Sequence, residues 1–262
     1  MSEIFIEEKS LPRAYHKALL ALKEKGEIVD CSDWNTTCLD TAATIHITEP
    51  LAEPLISKCF IGGPRELQQY IMEMLDGILD FEVAKGNWVY TYHDRMVNYG
   101  GRDQIDFVVD ELKRNPSSRR AVILIRDSSD IGSEDPACLQ HIQYFIRKNA
   151  KGEDALFCKV LFRSNDACKA AYMNAFALIM LQKRIADSLG VAMGTYTHRA
   201  NSFHCYEKDF SLLEGYVRRI TEGEEDDVTF DYVDGWDEMM EDAKEEIAAQ
   251  VEILRKQAEE GI

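Results

Sequence analysis

Residues 138–189 read CLQHIQYFIRKNAKGEDALFCKVLFRSNDACKAAYMNAFALIMLQKRIADSL. The runs CLQHIQYFIRKN and ALFCKVLFRS are typical of strands, and the KGE turn between them predicts a β-hairpin. The next run, residues 167–189, is apolar on nearly every face, which indicates a helix buried through the centre of the fold. A hairpin followed by such a helix predicts a sheet packed against helices.

Segments on either side supply further elements of both kinds. Helices are predicted at residues 12–25, 64–79 and 103–114, and the second opens with proline at a helix start. Strands are predicted at TAATIHITEP, RRAVILIRD and GTYTHRANSFHCYEKDF. The sequence therefore indicates a fold of the α+β class.

One more helix is predicted over residues 235–260, where acidic residues surround an apolar stripe. The stripe consists of Trp236, Met239, Ala243, Ile247, Val251, Leu254 and Ala258. We expect this amphipathic helix to dock on the body of the protein or on a partner chain.

Length and charge bound the organisation and the partners. The 262 residues fit one large domain. The net charge of −17 is uneven, because residues 221–262 hold sixteen acidic side chains against three basic ones and carry −13 of it. We therefore divide the chain into a catalytic domain at 1–220 and an acidic segment at 221–262, in the same domain or docked on it. Nucleic acid is an unsuitable partner, since binding it needs a clustered basic surface.

Hydropathy and cysteine usage indicate the compartment. No stretch approaches the roughly 18 uninterrupted apolar residues of a membrane span, and the acidic start MSEIFIEEKS does not resemble a secretion signal. The seven cysteines are scattered and form no CxxC pair or Cys/His cluster, so neither a disulfide framework nor a metal site is expected. These patterns predict a cytoplasmic protein with reduced thiols, without a membrane partner and without a metal.

Two short motifs in the middle of the chain carry candidate functional groups. SSRR at 117–120 places Arg119 and Arg120 beside a turn, where they could clamp a phosphate, although a solvated turn is the simpler interpretation. DPAC places Cys138 after a proline at the mouth of a strand, where a loop can expose a nucleophilic thiol. Most cysteines are inert core residues, so this motif alone is weak.

Two further features lie around the predicted buried helix. FRSND places Arg163, Ser164 and Asp166 at the end of a strand, a position that suits anion binding or plain helix capping. Asn174 lies within the apolar helix, and a buried amide must satisfy its donor and its acceptor. Asn174 therefore bonds either to the fold or to a ligand.

The order of these motifs resembles the thymidylate synthase family. SRR is followed by PxC, with Cys138 eighteen residues after the second arginine, and then by FRSND. Asn174 comes eleven residues after Arg163, and an HxY motif begins thirty residues later. The resemblance covers residues 60–210, and the contexts DPACLQ and RSND…NAF are similar to archaeal-type members.

The resemblance implies a fold and a reaction. The fold would be a large mixed sheet with helices on one face, and the sheets of two subunits would pack face to face in a homodimer. The reaction would be methylation of dUMP to dTMP with 5,10-methylenetetrahydrofolate and without a metal. Cys138 would add to C6 of the uracil ring, and C5 would then attack the one-carbon unit.

The resemblance also implies roles for individual residues. Asn174 would fix the base. The resemblance implies that Arg163 and Ser164 bind the 5′-phosphate and that Arg119 and Arg120 bind the phosphate in the neighbouring subunit. It further implies that His204 and Tyr206 bind the ribose hydroxyl and that Asp166 binds the pterin. The family's general acid/base glutamate lies on an early helix, where RELQQY makes Glu66 the best match and Glu73 the alternative. An exposed helix glutamate is the competing interpretation.

The sequence departs from the family pattern in four places. Residues 26–50 contain no arginine where a phosphate ligand is usual, and Leu139 stands where a histidine often follows the nucleophile. The bulky Lys169 and Tyr172 lie between Asp166 and Asn174, which suggests a changed folate pocket. An acidic helix stands in place of the usual closing segment, and closure excludes water from the reaction.

Three other functions remain open from the sequence. A pyrimidine-nucleotide hydroxymethylase acting on dUMP, dCMP or CMP would use the same folate and replace hydride with water. Asn174 favours uracil, since an amide can both donate and accept whereas a carboxylate suits the amino group of cytosine. A thiol hydrolase would pair Cys138 with His141, but residues i and i+3 point to opposite faces of a strand. The last alternative is a lapsed nucleotide-binding relative.

Overall fold

A mixed β-sheet forms the centre of the structure, a computed structural model that describes residues 2–260. The strands are β1 (Glu3–Glu8), β2 (Glu27–Cys31), β3 (Thr36–Ile47), β4 (Ile56–Ser57), β5 (Val122–Leu124), β6 (Leu139–Lys148), β7 (Asp154–Phe162), β8 (Asn165–Asp166), β9 (Ala192–Tyr206) and β10 (Thr229–Phe230). The helices are α1 (Leu11–Lys25), α2 (Pro64–Asp76), α3 (Asp80–Ala84), α4 (Tyr92–Val97), α5 (Gln104–Arg114), α6 (Ala171–Leu189), α7 (Phe210–Glu222), α8 (Glu225–Val228) and α9 (Asp237–Glu260).

The main sheet has eight strands in the order β1-β3-β9-β7-β6-β5, with β2 beside β3 and β8 beside β9. β6 and β7 pair antiparallel, with Tyr144 opposite Cys158, and confirm the predicted hairpin. β7 and β9 run parallel, as do β1 and β3, whereas β3 and β9 are antiparallel. The sheet is mixed because α6 provides the long crossover that parallel neighbours need.

The two faces of the sheet differ in exposure, since neighbouring side chains of a strand point to opposite faces. Ile45 and Val160 are buried on the face that packs against α1, α5 and α6. His46 is only half-buried on the other face, where Lys159 is exposed. Helices therefore cover one face of a mixed sheet, and this confirms the predicted α+β fold.

The helix α6 is buried as predicted, and its polar residues find partners inside the fold. Gln182, which is fully buried, donates its amide to the carbonyl oxygen of Leu156 at 2.6 Å. This bond ties the helix to β7. Asn174 lies two turns earlier on the same helix. Its amide bonds to a different partner and belongs to the site described below.

The acidic helix α9 packs on α2 through most of the predicted stripe, with two residues of the stripe exposed. Met240, Ile247 and Val251 are buried, whereas Met239 is 48% exposed and Leu254 is 42% exposed. The prediction was therefore wrong for Met239 and Leu254, and it is confirmed for Ile247 and Val251. The predicted spacing began at Trp236, which belongs to an irregular turn at Tyr232–Trp236 and not to the helix.

Side-chain bonds fix α9 on the body of the protein. Arg65, at the start of α2, donates to Glu246 at 3.1 Å and to Gln250 at 2.8 Å. The division of the chain after residue 220 stays a prediction, and α7 continues through that position.

Candidate active site

A cavity of about 300 Å³ opens where the sheet, α2 and α6 meet, at the small end of the range for ligand sites. Its lining residues are Trp34, Tyr70, Tyr92, Asp135, Cys138, Arg163, Ser164, Asn165, Asp166, Ala170, Met173, Asn174, His204 and Tyr206. Seven residues singled out from the sequence meet here, namely Cys138, Arg163, Ser164, Asp166, Asn174, His204 and Tyr206. Arg119, Arg120 and Glu66 do not line it.

Cys138 lies just before β6, at the open end of the β6–β7 hairpin, with a half-buried thiol. Its carbonyl oxygen accepts the backbone N–H of Arg163 at 2.8 Å, so the strand ends hold the two residues together. Burial raises the pKa of the Cys138 thiol, Arg163 lowers it and Asp135 raises it. The net effect is a raised pKa, because desolvation outweighs the arginine.

Arg163 is held against the loop that precedes the thiol. Its Nη2 donates to the carbonyl oxygen of Pro136 at 2.6 Å, and its Nε donates to that of Ala137 at 3.2 Å. The Arg163 side chain is still 35% exposed, and Asp135 lies 3.9 Å away. Backbone bonds thus orient a guanidinium that keeps donors for an anion beside the thiol.

Asn174 is buried on α6 and bonded to a residue that sequence reasoning had missed. Tyr70, on α2, donates its hydroxyl proton to Asn174 Oδ1. With this oxygen engaged, the Asn174 amide nitrogen keeps its two donors for the cavity. The Asn174 side chain therefore bonds to the fold and also lines the cavity, which are the two alternatives that its burial left open.

His204 and Tyr206 project from the end of β9. Their rings meet edge to face, with centroids 4.8 Å apart. Burial lowers the pKa of His204, and the nearby carboxylates of Asp166 and Asp40 oppose that effect. Ser164 Oγ lies 3.4 Å from His204 Nδ1, so the serine and the histidine share one end of the cavity.

Asp166 lines the cavity and also shapes the backbone beside it. Its Oδ1 accepts the N–H groups of Cys168 at 2.9 Å and Lys169 at 3.0 Å, which fixes the turn before α6. The Lys169 ammonium pairs with Asp209 at 2.6 Å, and Tyr172 bonds to the backbone of Leu55 at 2.8 Å. Neither bulky side chain lines this cavity, and a changed folate pocket stays a prediction.

Glu66, the first choice for the acid/base residue, lies outside the cavity. Its Oε2 accepts the Gly63 N–H at 2.8 Å and caps the start of α2, where the side chain is exposed. Glu73, two turns further along the helix, lies with Tyr70 and Tyr92 around an adjoining cleft. Burial raises the pKa of Glu73, and a hydrogen bond from Gln69 lowers it. Of the two glutamates, only Glu73 adjoins the cavity.

Arg119 and Arg120 are exposed, and neither lines the cavity. Arg120 Nε donates to Glu111 Oε1 at 3.0 Å, and this carboxylate is buried behind it. Neither arginine serves the cavity of its own subunit, so their action in a neighbouring subunit stays a prediction. His141, the partner considered for a thiol hydrolase, is not among the lining residues.

Seven lining residues were not singled out from the sequence, namely Trp34, Tyr70, Tyr92, Asp135, Asn165, Ala170 and Met173. Trp34 lies in the β2–β3 connection, within residues 26–50, the stretch that lacks the usual arginine. Asn165 belongs to the FRSND motif, and its Oδ1 bonds to His198 at 2.9 Å. These two had a sequence signal, but Tyr70 and Tyr92 are aromatic residues of ordinary helices.

Within residues 2–260, no group of three or more His, Cys, Asp or Glu side chains could hold a metal ion. Over the same residues, no helix combines the length and apolar character that a membrane span requires.

Known proteins are similar to this chain in sequence and in fold. The family model described as "Thymidylate synthase" matches residues 65–242. A Methanocaldococcus jannaschii protein named "Putative thymidylate synthase" is 33% identical over 223 residues, which span 80% of this chain and 95% of that protein. A Bacillus licheniformis protein named "Thymidylate synthase" is 31% identical over 48% of this chain and 44% of its own. The solved thermostable thymidylate synthase A of Bacillus subtilis superposes with a TM-score of 0.62 at 16% identity, covering 80% of this chain and 84% of its own.

Proposed function

Because the chain belongs to the thymidylate synthase family, we propose that it methylates dUMP to dTMP with 5,10-methylenetetrahydrofolate as the one-carbon donor. The observation that carries the proposal is the meeting of Cys138, Arg163 and Asn174 in one cavity. A thiol nucleophile, a phosphate ligand and a base-reading amide are the groups that this reaction needs. The enzyme acts in the cytoplasm, in keeping with its seven free thiols.

Cys138 is the nucleophile in this proposal. The thiolate adds to C6 of uracil, a bond forms between sulfur and C6, and the electron pair moves through C5 towards O4. Because burial raises the pKa of the thiol, the resting group is protonated and must lose its proton as the nucleotide binds. Arg163 lowers that pKa and so favours the attacking form.

Asn174 selects the base. Its oxygen is engaged by Tyr70, so the amide presents N–H donors to the ligand. O4 of uracil accepts such a donor, whereas the amino group at C4 of cytosine cannot. This polarity supports dUMP over dCMP as the substrate.

The phosphate and sugar occupy the other groups of the cavity. Arg163 and Ser164 bind the 5′-phosphate, while His204 and Tyr206 bind the sugar hydroxyl. The partner subunit's Arg119 and the partner subunit's Arg120 complete the phosphate site in a homodimer built on the uncovered sheet face. Both arginines are exposed and neither lines the cavity of its own subunit, which supports a role across such an interface.

Glu73 takes the place of Glu66 as the acid/base residue. Burial raises its pKa, which brings a carboxyl group closer to the range in which it can both give and take a proton. The base works through water to O4, since Glu73 lines only the adjoining cleft. Glu66 is committed to capping α2.

The pterin ring of the donor is assigned to the cleft that adjoins the nucleotide cavity. Its walls are Tyr70, Met74, Leu79, Trp88 and Tyr92 with Glu73, an apolar and aromatic surface suited to a flat pterin ring. The bound folate supplies the one-carbon unit and then the hydride. Asp166, on the nucleotide side, bonds the pterin, and its own backbone bonds hold the carboxylate in place.

Hydroxymethylation of a pyrimidine nucleotide is the second candidate. The observation behind it is the position of α9, whose described residues pack on α2 and do not line the cavity. Water exclusion must therefore come from other segments, and water that reaches the intermediate replaces hydride. The reaction would otherwise proceed through the same Cys138 adduct.

One experiment separates these candidates. Purified protein is incubated with dUMP tritiated at C5 and with methylenetetrahydrofolate, and the nucleotide product is identified by mass. Tritium release with a methyl product and dihydrofolate supports the synthase. Release with a hydroxymethyl product supports the hydroxymethylase. Absence of release from both dUMP and dCMP would contradict both reactions.

A further inference from the structure

Three polar side chains lead from the interior of the sheet to the wall of the cavity. Asp40 on β3 and His204 on β9 are direct partners across the two strands, so their side chains lie on the same face. Ser202 shares that face, because it precedes His204 by two positions on β9. Its Oγ donates to Asp40 Oδ1 at 2.9 Å and lies 3.3 Å from His204 Nδ1.

The buried carboxylate of Asp40 determines which atoms carry the protons in this row of hydrogen-bonded side chains. Asp40 is 6% exposed, and burial raises its pKa, while hydrogen bonds from Ser202 and from the Thr41 backbone oppose that rise. Ser202 Oγ donates to Asp40 Oδ1, which is the direction that an ionised carboxylate requires. An ionised carboxylate only accepts, so it takes the single hydroxyl proton of Ser202. The Ser202 oxygen can then only accept from Nδ1 of His204. Because burial disfavours the charged imidazolium, the ring carries one proton, and Nε2 is left as an acceptor.

We propose that Asp40 and Ser202 are positioning residues, which hold His204 in the Nδ1–H tautomer so that Nε2 accepts a hydrogen bond from the 3′-hydroxyl of the nucleotide. The proposal rests on the proposed function for the presence of a nucleotide in the cavity. The sugar of dUMP has one free hydroxyl group, so this bond selects nucleotides with an unmodified 3′ position. A histidine in the other tautomer would offer a donor instead.

Two neighbouring groups could orient the same ring but do not select its tautomer. Ser164 Oγ lies 3.4 Å from Nδ1, and its hydroxyl can donate or accept. Asp166 on β8 lies opposite His204 on β9 in the strand register. Its Oδ1 is engaged by the backbone N–H groups of Cys168 and Lys169. Of these groups, Asp40 acting through Ser202 determines which ring nitrogen of His204 carries the proton.

The first test observes the tautomer in the free protein and needs no turnover. Histidine labelled with ¹⁵N is read by two-bond ¹⁵N–¹H NMR correlations, and the signal of His204 among the six histidines is assigned by its loss in His204→Gln. We expect the Nδ1–H form in the wild type. In Asp40→Asn the new amide can donate to Ser202 Oγ, whose proton then turns towards Nδ1, so the Nε2–H form should grow. A wild-type Nε2–H form, or an unchanged tautomer in Asp40→Asn, overturns the proposal.

The second test measures binding of two nucleotides, dUMP and 2′,3′-dideoxy-UMP. Loss of one net hydrogen bond should raise the Kd of dUMP about 3- to 10-fold in Asp40→Asn and in Ser202→Ala. The Kd of the dideoxy compound should stay unchanged, since it lacks the hydroxyl group. Equal weakening of both nucleotides overturns the proposal.

A matched control removes a serine from a second Ser–His pair. Ser57 Oγ lies 2.8 Å from His16 Nε2, in the interior and away from the cavity lining. Ser57→Ala should preserve the ratio of the two Kd values. This result would show that the weaker binding of dUMP comes from loss of the hydrogen bonds between Asp40, Ser202 and His204. Absence of binding of any pyrimidine nucleotide would contradict the proposed function, and the NMR measurement would still decide the role of Asp40.

Discussion

Tyr70 on α2 donates its hydroxyl proton to Asn174 on α6, and both side chains line the same cavity. The bond joins two helices and also sets which atoms of Asn174 face a ligand. The reading of the base in the proposed reaction therefore depends on a residue that does not itself select uracil.

Removing the Tyr70 hydroxyl should weaken that selection. In Tyr70→Phe the Asn174 oxygen loses its partner, the amide is free to turn, and discrimination between dUMP and dCMP should fall about 10-fold, as expected for roughly 1–1.5 kcal/mol. The kcat/KM values of the two nucleotides measure the change. Tyr92→Phe is the control, since Tyr92 lines the same cavity and its hydroxyl faces the Leu139 N–H instead. Similar loss in both variants would remove the special role of Tyr70.

Asn174→Asp should shift the preference towards dCMP. The carboxylate has no donor for O4 of uracil but accepts from the amino group of cytosine. Competition between dUMP and dCMP for binding measures the shift without reference to which product forms. An unchanged preference would mean that Asn174 does not read the base.

Alkylation of Cys138 should depend on pH and on Arg163. Burial raises the pKa of this thiol, so less thiolate is present at neutral pH than for an exposed cysteine, and the rate with iodoacetamide should keep rising through pH 9. Arg163→Gln removes the group that lowers the pKa, so the rise should move to higher pH. Peptide mass spectrometry follows Cys138 separately from the other thiols. Equal profiles with and without the guanidinium would exclude its electrostatic role.

Cys138→Ser should abolish turnover and leave dUMP binding largely intact, because a hydroxyl group at neutral pH is a far weaker nucleophile than a thiolate. Isothermal calorimetry measures binding, and tritium release measures turnover. Cys158→Ser on β7, a fully buried thiol away from the cavity, is the control for the loss of a cysteine. Near-normal turnover in Cys138→Ser would remove the nucleophile assignment.

Mixing of inactive subunits tests the shared site. Arg119→Glu and Cys138→Ala are expected to be nearly inactive alone, the first through repulsion of the phosphate. After random subunit exchange, half of the dimers are mixed, and one site in each has an intact thiol and an intact neighbouring arginine. Activity should therefore recover to about a quarter of the wild-type value. No recovery, with exchange verified by a label, would exclude a role of Arg119 across the interface.

The sequence predicts most of this site because its motifs lie close together in the chain. Cys138, Arg163 and Asp166 belong to short signatures around one hairpin and its helix. The sequence could not separate Glu66 from a helix-capping residue, because a glutamate three residues into a helix is equally suited to capping. Tyr70 and Asp40 escaped prediction for another reason, since their partners lie 104 and 162 positions away. Pairings of that range depend on the packed fold and leave no local pattern.

The bond between Arg65 and Glu246 spans 181 positions, so α2 gains its outer neighbour only when distant parts of the chain have met. Contacts of such range are slow to form, because loop closure must precede them. During synthesis, the segment with Cys138 leaves the ribosome well before α9 does. We therefore expect a period in which the thiol is already present while the helix that carries Tyr70 lacks its support. Pulse-labelled hydrogen exchange during refolding should show α2 and α9 protected together and later than the β6–β7 hairpin, whereas early protection of α2 alone would show that it matures without α9.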